Sequence, residues 1–150
     1  MKAQRTDSSH PDFIALVKLL DAELAARDGA DNSYYAQFNK IDSLKNCIVA
    51  YEDDKPVGCG AFKSYEESVS VEIKRMYVVE SQRGKGIAKK VLAELEQWAS
   101  ELAYSKCVLE TGKRQPEAIA LYTKQGYKVT ENYGQYKGIE NSVCFEKILG

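Results

Sequence analysis

Residues Ser68 to Leu102 most restrict what this chain can become. There the strand-like run "SVSVEIKRMYVV" passes through the glycine turn "RGKGIA" straight into a long helical pattern. From Ile87 the apolar residues are Ile87, Ala88, Val91, Leu92, Leu95, Trp98, Ala99 and Leu102. That spacing lays a single stripe along a helix, whereas the preceding run alternates with the period of a strand. A one-striped helix fed directly from a strand buries its stripe against a sheet. The stretch therefore commits the chain to layered helices and strands.

The rest of the chain fits that frame. "PDFIALVKLLDAELAAR" (Pro11 to Arg27) has helical spacing, with Pro11 in the first turn and Asp28-Gly29 as a stop. "SYYAQFNKI" predicts a weaker second helix. The period then falls to two, and "NCIVAYEDDKPVGCGAFKSY" predicts two strands joined at Asp53, Asp54, Lys55 and Pro56. A strand over Ser68 to Val79 follows a short turn at Glu66-Glu67. After the long helix come a buried strand, "KCVLET", and a short helix, "PEAIALYTKQGY", with Pro116 at its first position and Gly126 past its end. "YKVTENY" and "NSVCFEKIL" close the chain as two more strands. The order α, α, β, β, β, α, β, α, β, β predicts a mixed α+β fold with helices on the faces of a sheet. Residues 1–150 read as a single domain, without repeats or linkers.

Bulk properties narrow the function. The 150 residues are 44% hydrophobic, enough for one core. A formal net charge of −1 gives no general affinity for nucleic acid. No apolar run approaches the ~18 residues of a membrane span, and "MKAQRTDSSHPD" lacks a signal segment. These features predict a cytoplasmic chain, mature as written, with no membrane partner. Cys47, Cys59, Cys107 and Cys144 are scattered without a C-x-x-C pair, and three lie in apolar strand-like runs. They predict reduced, buried thiols, with a disulfide or metal role as the alternative. His10 is the one histidine. It reads as a surface or capping residue, which disfavours a zinc site of usual type and nucleophilic catalysis through Ser or Cys.

The glycine turn carries the chemistry. A helix N-terminus presents backbone N–H groups without intrahelical partners and a partial positive charge. Gly84 and Gly86 remove side chains that would block a ligand's approach to those donors. Lys85, Lys89 and Lys90 add mobile positive charge. The arrangement suits a pyrophosphate, although two glycines also make an ordinary tight turn. The turn lacks the spacing of a P-loop and the third glycine of the dinucleotide fingerprint.

"RGKGIA", Arg83 to Ala88, matches the R/Q-x-x-G-x-G/A signature, and the chain resembles the GNAT superfamily of N-acetyltransferases. "VEIKRMYVV", "LETG" and "AIALYTKQGY" resemble that family's successive core segments, in order, so the likeness covers essentially the whole chain. It implies the GNAT acyl-CoA N-acyltransferase fold: a central, mostly antiparallel sheet with a splayed strand pair and helices on both faces. The donor it implies is acetyl-CoA, with no metal. The pyrophosphate would be held by main-chain N–H groups around Arg83, Gly84, Lys85, Gly86, Ile87 and Ala88. In the family the strand before the loop bulges and pairs its backbone with the pantetheine arm, which falls here on Met76, Tyr77 and Val78. The Val78 N–H would stabilise charge on the thioester oxygen. Tyr122 occupies the place of the family's tyrosine near the CoA sulfur. Gln115 stands where many relatives carry a CoA-contacting Asn, which puts that contact in doubt.

Two of these residues also make chemical sense alone. A free tyrosine, with a pKa of about 10, is protonated at neutral pH and can give its proton to a departing thiolate; Tyr122 at helical spacing with Ala118 and Ile119 would equally suit a core. An amine acceptor must lose a proton before it attacks, and Glu72 in the apolar-flanked "VSVEI" can accept it. Glu72 precedes Arg83 by eleven residues, the interval of the base in the histone-acetylating branch. The alternative for Glu72 is a solvent-facing residue paired with Lys74 or Arg75.

For the acceptor, Tyr34, Tyr35, Phe38, Tyr65, Glu66, Glu67, Tyr133 and Tyr136 lie in the segments expected to wall its site. Aromatics with carboxylates suit a small cationic amine or amino-acid-like acceptor. A protein lysine or N-terminus is the alternative, and so is a non-catalytic acyl-CoA-binding module. "TENYGQYKGIEN" is expected to be a mobile acceptor-side loop, and the edge strands leave a homodimer open.

Overall fold

Apolar alternation in "NCIVAY" and "GCGAF" and the stripe of the first helix build one packed layer pair. A computed structural model describes residues 1–28 and 43–150, so the expected helix at "SYYAQFNKI", with Tyr34, Tyr35 and Phe38, lies outside the described residues. The elements are β1 (Lys2–Thr6), α1 (Pro11–Asp28), β2 (Asn46–Glu52), β3 (Lys55–Glu66), β4 (Ser70–Val78), α2 (Ile87–Glu101), β5 (Lys106–Gly112), α3 (Pro116–Lys124), β6 (Lys128–Thr130) and β7 (Ser142–Ile148). Short 3₁₀ turns lie at Glu80–Gln82 and Gly134–Tyr136. Hydrogen bonds order the strands β1-β2-β3-β4-β5-β7-β6 in a seven-stranded, mostly antiparallel sheet. The chain divides into two compact units, Met1–Lys63 with Lys74–Leu95, and Ser64–Ile73 with Glu96–Gly150.

In the first unit, α1 places Phe13, Leu16 and Val17 against Cys47 and Val49 of β2 and Cys59 and Ala61 of β3. Strand alternation turns Gly58 and Gly60 to the opposite face. A Cβ on Gly60 would lie 2.5 Å from Met76 Sδ and 2.9 Å from both Val91 and Leu95 of α2. Helices thus cover both faces here, and the missing side chains let α2 lie close to the sheet. His10 caps α1 by accepting a hydrogen bond at Nδ1 from the Asp12 N–H, 3.1 Å away. Asp53 and Asp54 (φ 51° and 64°) make a two-residue hairpin turn with both residues left-handed. The turn is shorter than expected, because Lys55 and Pro56 already belong to β3.

β1 has no sequence signature, since Ala3 is the sole apolar residue among Lys2–Thr6. It forms because β2 offers a free edge, pairing antiparallel from Lys2↔Tyr51 to Thr6↔Cys47. In β4, Arg75 sits at φ 61°, a left-handed residue in mid-strand just before Met76, Tyr77 and Val78. Such a conformation costs a non-glycine residue roughly 1–2 kcal/mol. It is held by an ion pair from Arg75 Nη1 to Asp21 Oδ1 of α1 (2.9 Å) and by the Cys59 thiol on the Arg75 carbonyl (3.3 Å).

In the second unit, β5 and β7 pair antiparallel over their full lengths, from Lys106↔Ile148 to Gly112↔Ser142. β4 and β5 pair in parallel only at Ser70↔Lys106, Val71↔Cys107 and Glu72↔Val108, though each strand runs on. β6 spans just three residues. The stripe of α2 ends early: the helix stops at Glu101, and Leu102 is half exposed. All four cysteines are buried free thiols, and burial pushes Cys47 and Cys107 up to about 12. Among the described residues no helix is long and apolar enough to cross a membrane.

The close approach at Gly60 sets a test. Gly60→Ala should lower stability by about 1–3 kcal/mol through overpacking against α2, read from urea unfolding midpoints. An unchanged midpoint would contradict this packing.

Candidate active site

The glycine corner follows from backbone demands. Gly84 and Gly86 adopt φ 82° and 81°, which an L side chain rarely accepts, yet a Cβ on either would meet nothing within 4 Å. Conformation dictates these glycines, and the space over them is open. The Gly86 carbonyl accepts the Lys90 N–H (3.1 Å), which makes Gly86 the cap residue of α2. The first turn of α2 carries no acidic side chain, so the positive helix end is not neutralised from within. Lys85, Lys89 and Lys90 are exposed around it. These features fit a diphosphate.

Arg83 behaves differently from its neighbours. Its guanidinium donates from Nε to the Val78 carbonyl (2.9 Å) and from Nη2 to Glu23 Oε1 of α1 (2.7 Å), and it lies 5.5 Å over the Tyr77 ring. The side chain therefore fastens the loop to the end of β4 and to α1. Met76 and Val78 turn their side chains toward Gly60 and Gly58. No sequence pattern links Arg83 to a residue sixty positions earlier, so this clamp was illegible before folding.

In the second unit Glu72 is only 2% exposed, which excludes the solvent-face alternative, and Arg75 pairs instead with Asp21. Glu72 Oε2 accepts a 2.7 Å hydrogen bond from the Tyr133 hydroxyl. The Tyr133 ring is held edge-on by Tyr65 (4.9 Å) and Tyr136 (5.6 Å). Burial first, and then the charge of Glu72, push the hydroxyls of Tyr133 and Tyr136 far above the usual tyrosine range. Both are fixed donors at any ordinary pH. The loop expected to be mobile is fastened at its centre: Tyr136 is buried, and Asn132 Nδ2 donates to the Ile139 carbonyl (3.1 Å). Glu66 takes Ser70 Oγ (3.0 Å) and Lys106 (3.5 Å).

Tyr122 of α3 is 6% exposed, its ring packed on Tyr127 (5.8 Å) and Phe145 (6.0 Å). Its ring thus serves the core, as one sequence reading had it. Its hydroxyl is pushed upward by burial and by the negative charge of Glu110, so it stays protonated. Glu110 accepts from Ser142 Oγ at 2.7 Å. Gln115 caps α3 through its carbonyl, which accepts from Ala118 and Ile119, while its side chain makes no cap bond.

Comparison with known proteins bears on the family and the fold. A family model described as acetyltransferase (GNAT) family matches residues 13–127. The chain is 37% identical over 102 residues to an IAA acetyltransferase of Azospirillum brasilense, covering 68% of this chain and 67% of that one. A crystal structure of a putative acyl-CoA N-acyltransferase from Klebsiella pneumoniae superposes with a TM-score of 0.82 at 30% identity, over 99% of this chain and 97% of that one. A GNAT family acetyltransferase from Elizabethkingia anophelis, solved with acetyl-CoA bound, shares the fold alone: TM-score 0.69 at 17% identity, over 99% and 97% of the two chains.

The bond between Tyr133 and Glu72 can be weighed directly. Tyr133→Phe leaves a buried carboxylate short of a donor and should cost about 1.5–3 kcal/mol in chemical denaturation. A loss below ~0.5 kcal/mol, within the ordinary range of a surface substitution, would contradict this buried contact.

Proposed function

The chain belongs to the GNAT family of acetyltransferases, and on that premise we propose that it moves acetyl from acetyl-CoA directly to the primary amine of a small acceptor. The reaction runs in a ternary complex without a covalent enzyme intermediate, and residues 1–150 act as one catalytic domain. The observation that carries the reading is the open corner at Gly84 and Gly86, where left-handed backbone and the unneutralised end of α2 meet.

Acetyl-CoA supplies an activated acetyl thioester. Main-chain N–H groups of residues Arg83 to Ala88 hold its diphosphate, with Gln115 as a further contact, and the exposed lysines steer the anion inward. The backbone of Met76, Tyr77 and Val78 aligns the pantetheine arm as an added strand would. Arg83, by fixing the Val78 carbonyl, sets the peptide plane at the end of β4. The Val78 N–H stabilises negative charge as it develops on the thioester oxygen.

Glu72 takes the proton that frees the amine's lone pair, directly or through water. Tyr133 holds Oε2 of that carboxylate in one orientation. Tyr122, kept protonated by burial and by Glu110, gives a proton to the departing sulfur as the carbon–sulfur bond breaks. The rings of Tyr65, Tyr133 and Tyr136 beside the Glu72 carboxylate favour a cationic amine, through cation–π attraction and charge.

A CoA-release assay across a panel of small amines tests the activity. Tyr122→Phe should lower kcat by about 10²-fold or more while acetyl-CoA binding by calorimetry stays intact; full turnover in this variant would remove Tyr122 as the acid. Glu72→Gln should abolish the rise of kcat/KM with pH that reports deprotonation of the base, and a profile matching wild type would refute that role.

A further inference from the structure

Among the described residues, three buried side-chain nitrogens lack a hydrogen-bond partner, and two of them, Nε and Nη2, belong to Arg75. The side chain is 2% exposed, and among the described residues it forms an ion pair from Nη1 to Asp21. A buried donor without a partner is costly, more so on a charged group, and is relieved when a ligand or water accepts its hydrogen. Nε–H and one N–H of Nη2 point the same way along one edge of the planar guanidinium. That edge matches the two oxygens of a carboxylate in parallel. Asp21 is 53% exposed, so its charge is screened by solvent and offsets the cation only in part. Arg75 also occupies the strained position of β4, at φ 61°, a conformation that the surroundings must hold against its cost.

We propose that the Nε–Nη2 edge of Arg75 is a carboxylate-binding site, and that the amine acetylated by this enzyme carries that carboxylate, as an amino acid does. The proposal rests on the amine-acetyltransferase reading given above. Two parallel donors and one positive charge match a monoanion with two coplanar oxygens. A phosphate dianion brings a third oxygen and a second charge that this edge does not meet. In so dry a setting a charge-assisted pair is strong, and an acceptor lacking the carboxylate would leave both donors unpaired.

The test pairs acceptors that differ in the carboxylate: glycine with glycinamide, L-alanine with L-alaninamide, and γ-aminobutyrate with butylamine. Aminomethylphosphonate serves as the phosphorus arm. CoA release is measured for wild type, Arg75→Met and Arg75→Lys. Met fills similar volume, and the half-exposed Asp21 it leaves behind can be solvated, so the variant should fold. Wild type should favour the carboxylate member of at least one pair by about 100-fold in kcat/KM. Arg75→Met should lose that preference by about 10- to 100-fold; the readout is the ratio between the two members of each pair, in which any loss common to both, as from a shifted strand, cancels. Arg75→Lys, which keeps the charge without the fork, should recover only a minor part.

Binding is read separately as a saturable rise in the melting temperature of wild type with sodium acetate, against sodium chloride at equal ionic strength. The rise should be absent in Arg75→Met. Equal use of both members of every pair, a preference that survives in Arg75→Met, or better use of the phosphonate would each overturn the proposal. So would the absence of an acetate-specific shift. No CoA release from any amine, with the acetate shift present, would instead sink the amine-acceptor reading while supporting the site.

Discussion

The constraint on which the rest depends is a single bent residue in β4. Arg75 breaks the regular pleat at φ 61°, and the energy this takes is supplied by an ion pair to α1 and a thiol contact from β3. Regular antiparallel pairing would consume every main-chain group along the strand. The bent residue interrupts that backbone just before Met76, Tyr77 and Val78, the residues proposed to align the pantetheine arm. Packing in the first unit therefore holds the bent residue: Phe13, Leu16 and Val17 seat α1 on the sheet, and α1 then carries Asp21 and Glu23 to Arg75 and Arg83.

The loop after β4 shows how a binding surface is made by subtraction. Gly84 and Gly86 contribute no side chains, and Arg83, beside Gly84 in sequence, is engaged with Val78, Glu23 and Tyr77. A diphosphate seated there, as proposed, would meet the main chain and the dipole of α2, rigid groups that lose little entropy on binding. A flexible lysine clamp would have to be ordered afresh with each ligand. The second unit works oppositely, by burying polar groups together. Glu72, Tyr133 and Tyr136, and likewise Glu110 and Ser142, are tied by short hydrogen bonds and ring contacts. In a low-dielectric setting such bonds hold their geometry firmly.

Much of the fold was legible in the chain. The helices at Pro11, Ile87 and Pro116, the paired strands around Asp53-Asp54, and the glycine corner all follow from periodicity, caps and left-handed turn residues. Those signals are local, and local signals survive in sequence. β1 was not legible, because an edge strand with polar side chains forms from what β2 offers rather than from its own pattern. The contacts that shape the candidate site were hidden for a related reason. Tyr133 and Glu72 are sixty-one residues apart, Arg83 and Glu23 sixty, and Arg75 and Asp21 fifty-four.

The sequence by itself determined the family and the open glycine corner at the start of α2, and it carries in Glu72 and Tyr122 the residue types that a base and an acid require. Short-range backbone geometry and residue chemistry decide those things, and both are written in neighbouring letters. The tertiary structure alone decided the state of these groups: that Glu72 is buried and bonded to Tyr133, that Arg83 is a clamp, and that Arg75 holds two unpaired donors. Burial and partnership depend on which distant segments pack together, and the free energy of a charge is set by that packing more than by its own identity.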